Sequence, residues 1–169
     1  MAEIAEASEL SLSTVFNYFP SKADIVFCVF DEILDGAEQR IASRRYGESG
    51  IRALGDWLRH VMPSLDDSYS PTVRRTPRII ASTSELEDQE RLRLARFEDA
   101  LAGSFASDLG EPPHGIRARV LAATALAELR EVWHAWWAKH VDVAAEADHL
   151  IHLLEALRDA VRDLPTAPA

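Results

Sequence analysis

Residues 4–22 read Ile-Ala-Glu-Ala-Ser-Glu-Leu-Ser-Leu-Ser-Thr-Val-Phe-Asn-Tyr-Phe-Pro-Ser-Lys. Ile4, Ala5 and Ala7 fit the end of one helix, Glu9 and Leu10 a short break, and Ser11 the cap of a second helix running from Leu12 to about Phe19. Val15, Phe16 and Phe19 fall on one side and are expected to turn inward with Ile4. Leu12, Ser13, Thr14, Asn17 and Tyr18 are left on the other side, a face of short hydroxyls, one amide and one phenol suited to base edges and phosphates in a major groove. A plain solvated helix face is the competing reading. Pro20 ends the second helix, and Ser21 with Asp24 three residues on has capping-box spacing for the next, which places Lys22 in a first turn within reach of a phosphate.

Taken together, the Ile-Ala pair, the short break, Leu-Ser, Ser-Thr-Val-Phe, Tyr-Phe-Pro-Ser-Lys and the apolar run from Ile25 resemble the DNA-binding signature of TetR-type transcriptional regulators. That resemblance implies an all-α protein with a helix-turn-helix DNA-binding headpiece and a larger C-terminal helical domain that binds a small effector and dimerises. It also implies DNA-facing roles for Leu12, Ser13, Thr14, Asn17, Tyr18 and Lys22, operator DNA as a partner, no cofactor and no enzymatic activity. Two positions depart from the pattern. Glu9 stands where glycine is usual, and a left-handed conformation there would strain a non-glycine residue by about 1 kcal/mol. Phe16 stands where many members have tyrosine. Members also carry a first helix ahead of the Ile-Ala pair, whereas only Met1, Ala2 and Glu3 precede it here, so the headpiece is read as incomplete.

Charge bears on that expectation. The formal net charge is −10, and residues 1–24 set Glu3, Glu6, Glu9 and Asp24 against Lys22 alone, so the headpiece offers little counterion release and operator binding by this form is expected to be weak or absent. Hydrophobic residues make up 47% and charged residues 27% of 169, an ordinary globular composition. The single cysteine, Cys28, excludes an intramolecular disulfide, and its apolar neighbours suggest a buried, inert thiol. With no secretory signal and no apolar stretch near the roughly 20 residues of a membrane span, a cytoplasmic setting and no membrane partner are expected.

The remaining periodicity is helical throughout. Ile25, Val29, Phe30, Ile33, Leu34, Ala37 and Ile41 mark a connecting helix to about Arg44, and Gly47 to Gly50 a loop. Ile51, Leu54, Leu58, Val61 and Leu65 mark another helix, which Pro63 bends or ends. A short helix from Pro71 to Ser82, kinked near Pro77, leads to a long one opened by Ser84 with Glu87 and stopped at Gly110. Ile116 to about His140 and Val143 to Leu164 complete the set. The division is a partial DNA-binding unit at 1–22, a connecting helix at 23–44, an effector-binding and dimerisation domain at 45–164 and a tail at 165–169.

Within that last domain, Trp57, Met62, Phe97, Phe105, Trp133 and Trp137 lie on converging faces and either line an apolar effector cavity or form plain core. Arg74, Arg75 and Arg78 are surface charges or the partners of an anionic ligand group; Arg74 and Arg78 join the candidate pocket. Residues 71–101, with Arg-Ile-Ile-Ala-Ser-Thr and Leu-Ala-Arg-Phe-Glu-Asp-Ala-Leu, look like the C-terminal domain of actinobacterial TetR members including the mycofactocin-associated regulator, which implies an acyl-CoA effector. Leu150, Leu153, Leu154, Leu157 and Val161 form a stripe that either seals a homodimer as a four-helix bundle or packs inside one chain.

Other classes compete. Glu131-x-x-His134 and Glu146-x-x-His149, with Glu98 and Glu128, have the spacing of a di-metal helical bundle enzyme. A dimeric helical module without DNA binding, acting through ligand or protein contacts, is the other. The main expectation is a repressor released from its operator by a small apolar or acyl effector.

Overall fold

Ser21 shows how local chemistry sets the architecture. Its hydroxyl accepts from the Asp24 backbone N–H at 3.2 Å while Asp24 Oδ2 accepts from the Ser21 N–H at 2.7 Å, so two otherwise unpaired donors are satisfied where a long helix begins. The computed structural model describes residues 1–68, 75–113, 115–137 and 143–163, without the side chains of 62–68, 134–137, 143 and 144. These residues are all-α. In chain order the helices are α1 (Ala2–Ala7), α2 (Leu12–Tyr18), α3 (Lys22–Ala42), α4 (Gly50–Ser68), α5 (Thr76–Ile80), α6 (Ser84–Leu109), α7 (Ile116–Trp137) and α8 (Val143–Arg162). Among the described residues no strand occurs, and no helix is long and apolar enough to cross a membrane.

One continuous core joins α3, α4, α6, α7 and α8. Leu34, Ala37 and Ile41 meet Ile51, Leu54, Trp57 and Leu58, then Phe97, Leu101 and Phe105, Leu121 and Ala125, and finally Leu150, Leu154 and Val161. Burial of each large side chain in this set is worth roughly 1.5–3 kcal/mol. The helix α3 runs parallel to α6 and is clamped along its length by Asp31–Arg93 at 2.8 Å, Asp35–Arg96 at 2.9 Å and Arg44 donating to Ser104 at 3.2 Å. The helix α4 runs antiparallel to α8, joined by Arg59–Asp148 and by Arg52–Glu155 at 2.9 Å. They meet tightly at Gly55, where a Cβ would lie 2.1 Å from Ile151 Cδ1.

Several boundaries match the sequence pattern and several do not. Gly110 ends α6 with φ +66°, the left-handed C-terminal stop that glycine permits without strain. The cap of α6 is Thr83, which accepts from the Leu86 N–H at 3.3 Å, so Ser84 is the first helical residue rather than the expected cap. Pro63 does not end α4, which continues to Ser68. A proline there removes its own N–H and crowds the Arg59 carbonyl, a local cost of about 3 kcal/mol. Pro77 lies in the first turn of α5, where its fixed φ suits helix initiation instead of a kink; residues 71–74 of the expected helix lie outside those described.

Cys28 is exposed, contrary to the expected buried thiol. Helical geometry explains this: Phe27, Leu34, Ala37 and Ile41 share the inward side of α3, and Cys28 is turned roughly 100° from Phe27, away from that side. Its Sγ donates to the Ile25 carbonyl at 3.2 Å.

Candidate functional site

The two N-terminal helices pack on each other through Ala5 and Val15, each only 4% exposed. Between them Glu9 adopts φ +56°, the left-handed geometry that glycine would take freely. Ser11 caps α2, accepting from the Thr14 N–H at 3.0 Å, and its Oγ also lies 2.7 Å from Thr14 Oγ1 and 2.9 Å from Ser13 Oγ. Of the six residues expected to face DNA, Leu12, Ser13, Asn17, Tyr18 and Lys22 are exposed and Thr14 is half-buried. Ile4 and Phe16, expected to point inward, are 38% and 45% exposed. Helices of six and seven residues enclose little between them, and Ala5 with Val15 fills that space.

Of the residues expected to line an effector pocket, Trp57, Phe97 and Phe105 are buried in the continuous core, and Trp133 is half-buried against it. None of these lines either of two cavities described next. Arg78 is exposed on α5, and Arg75 is exposed just before it. The Met62 and Trp137 side chains and all of Arg74 lie outside the described residues. On α8, one chain already covers Leu150, Leu154 and Val161, leaving Leu153 and Leu157 half-buried. On α7, Ile116 and Val120 are 79% and 46% exposed, with Ala123 and Ala127 exposed on the following turns.

The first cavity, about 560 Å³, lies between the α3–α4 loop, α4 and α8 and is lined by Arg45, Arg52, Asp56, Arg59, His152 and Glu155 among others. Most of its charges are committed to one another through Arg52–Glu155, Arg59–Asp56 at 3.0 Å and Arg59–Asp148. Nearby, Arg40 holds the Glu48 carboxyl below its ordinary range by hydrogen bonding, helped by the Arg45 backbone N–H. A ligand here must break ion pairs that already exist.

The second is a cleft of about 450 Å³ between α3 and α6, lined by Glu38, Gln39, Ile41, Ala42, Arg44, Ala100 and Ser104. Ala42 follows Glu38 by one helical turn and Ser104 follows Ala100 by one, so small side chains on facing helices hold the groove open. Arg44 spans its lower end, donating to the Ile41 carbonyl and to Ser104 Oγ, both at 3.2 Å. Asp108 sits below, accepting from the Gly50 N–H at 2.7 Å; burial pushes its carboxyl above the ordinary range, while Gly50 and Arg44 oppose that shift. Sequence periodicity passes over these residues because it marks apolar stripes, whereas this cleft is signalled by small residues in register on two helices distant in the chain.

Among the described residues no group of three or more His, Cys, Asp or Glu is placed to hold a metal; the spacing Glu131-x-x-His134 with Glu146-x-x-His149 is only partly covered by them. The His134 side chain lies outside the described residues. No protein-family model matches the chain, and no curated protein sequence matches it.

Proposed function

We propose that this chain is a helical small-molecule-binding module of the TetR regulator type, which self-associates through α7 and α8 and whose α1–α2 headpiece holds no DNA by itself. The observation that carries the reading is the α3–α6 cleft. Its volume of about 450 Å³ falls within the roughly 300–1,000 Å³ typical of small-molecule sites, and its lining combines apolar wall with a few polar groups. One wall is α3, which starts directly after the Phe19–Ser21 turn, so a ligand that moves α3 acts on α2. Glu3, Glu6 and Glu9 around the headpiece oppose phosphate contact, and the exposed Ile116 and Val120 of α7 and half-buried Leu153 and Leu157 of α8 suit a second copy. The module is a binding protein with no catalytic role and no cofactor.

A thermal-shift screen of small metabolites, paired with sedimentation equilibrium, tests this. Saturable stabilisation by a ligand and a dimer at micromolar protein are expected. A monomer that no compound stabilises would overturn the reading.

A second reading is a ligand-released repressor that binds operator DNA as a homodimer, with an apolar or acyl effector such as acyl-CoA. It is favoured by the shared exposure of Leu12, Ser13, Asn17, Tyr18 and Lys22. Fluorescence anisotropy with the duplex upstream of the gene separates the two: saturable, sequence-dependent binding that weakens with salt puts the repressor first.

A further inference from the structure

Glu38 Oε1 is buried at the α3–α6 cleft and, among the described residues, accepts no hydrogen bond. Arg96 Nε stands 3.9 Å from it, beyond hydrogen-bonding range, and the Arg96 guanidinium instead reaches Asp35 at 2.9 Å. The Arg96 side chain is 70% exposed and divided between Asp35 and Glu38. The cation of the lining, Arg44, is spent on the Ile41 carbonyl, Ser104 and Asp108. The wall between them is Ile41, Ala42 and Ala100, with Ser104 Oγ free to donate its own proton while it accepts from Arg44.

From this we infer that the cleft takes a lipophilic amine, its ammonium on the Glu38 carboxylate in place of Arg96 and its hydrocarbon along Ile41, Ala42 and Ala100. A carboxylate whose ion pair with Arg96 is too long for a hydrogen bond gains from a closer charged donor, since charge-assisted hydrogen bonds are about twice as strong as neutral ones. An anionic ligand would meet Glu38 as a like charge. A neutral alcohol gains the hydrocarbon contact without the ion pair. The inference rests on the reading of the chain as a ligand-binding module and adds the class of ligand.

Calorimetric titration with octylamine, octanol and octanoate tests it. The amine binds best, and Glu38→Gln weakens it about tenfold or more while leaving octanol unchanged. Arg96→Gln, which removes the competing cation from an exposed position, strengthens the amine a few-fold. Ala42→Phe, at an exposed lining position, abolishes binding of the amine without loss of fold by circular dichroism. Octanol or octanoate binding as tightly as the amine, with that binding blocked by Ala42→Phe, overturns the amine assignment and keeps the module. An amine affinity unmoved by both Glu38→Gln and Arg96→Gln overturns the assignment as well. If none of the three binds and the metabolite screen also finds nothing, both fall.

Discussion

The guanidinium of Arg93 on α6 lies 4.2 Å from the centroid of the Phe27 ring on α3, and Phe27 is completely buried. Arg93 Nε also donates to Asp31 at 2.8 Å, and Nη2 stands 3.9 Å from Asp24 Oδ1. Asp24 is the capping residue whose Oδ2 holds both the N–H and the hydroxyl of Ser21. One side chain therefore fastens the body to the first turn of α3, where the chain arrives from α2.

Replacing that side chain tests the fastening. Arg93→Met, which keeps the stem but loses the charge and the planar face, is expected to cost about 1–2 kcal/mol in urea unfolding. Arg93→Lys recovers only part, because an ammonium cannot stack on Phe27 while bonding Asp31. Hydrogen exchange should rise first at Lys22 to Ile25. Equal stability of Arg93→Met and the parent would contradict the role assigned to it.

The contact of α4 with α8 at Gly55 sets two effects against each other. Alanine gains about 1 kcal/mol of helix propensity, but its Cβ would lie 2.1 Å from Ile151 Cδ1 and 2.3 Å from Cγ1, and overpacking of this kind costs about 1–3 kcal/mol. Ile151 is buried and β-branched, so it has few rotamers to retreat into. Gly55→Ala is expected to lower the melting temperature, and the double variant with Ile151→Ala to lose less than the sum of the singles.

Glu9 holds a left-handed backbone with φ +56°. Relief of about 1 kcal/mol of strain by Glu9→Gly is partly offset by the extra freedom of glycine in the unfolded chain, leaving a gain of about 0.5 kcal/mol. Slower exchange of the amides at Ala5 to Leu10 is the readout; faster exchange would show that the strain lies elsewhere.

Glu48 and Asp108 give opposite pH dependence. Arg40 lowers the Glu48 pKa on folding, so its contribution is complete above the unfolded-state value and disappears as pH falls through the folded-state value. Glu48→Gln should lose about 1 kcal/mol at pH 7 and converge on the parent in acid, once pH has fallen below the folded-state value. Burial raises the Asp108 pKa, so its contribution is fully present below the unfolded-state value and is lost as pH rises through the folded-state value. Asp108→Asn, whose amide oxygen still accepts from Gly50, should match the parent in acid and exceed it at neutral pH. Chemical denaturation across that range measures both.

The parts legible in the sequence are those with local causes. Ser11 and the Ser21–Asp24 box cap the helices their spacing marks, Gly110 stops α6, and Glu9 takes the left-handed turn that its place in the break demands. Phe16 and Cys28 run against the pattern because their outcome is tertiary: apolar residues beside an inward stripe stay outside where the described helices leave them uncovered. Phe97 and Phe105 show the converse, since aromatic periodicity marks burial equally well whether the interior is filled or hollow. The cleft depends on Ala42 meeting Ala100 and Ser104 across about sixty residues of chain, which no local pattern carries.

The central claim is that the α3–α6 cleft is a ligand site coupled to α2. Its most direct test is the amide spectrum of isotope-labelled protein titrated with small-molecule fragments. The account predicts saturable shifts centred on Ile41, Ala42, Ala100 and Ser104 that extend along α3 to Lys22 and into α2; shifts confined to other surfaces, or binding at the cleft with α2 unmoved, would contradict it.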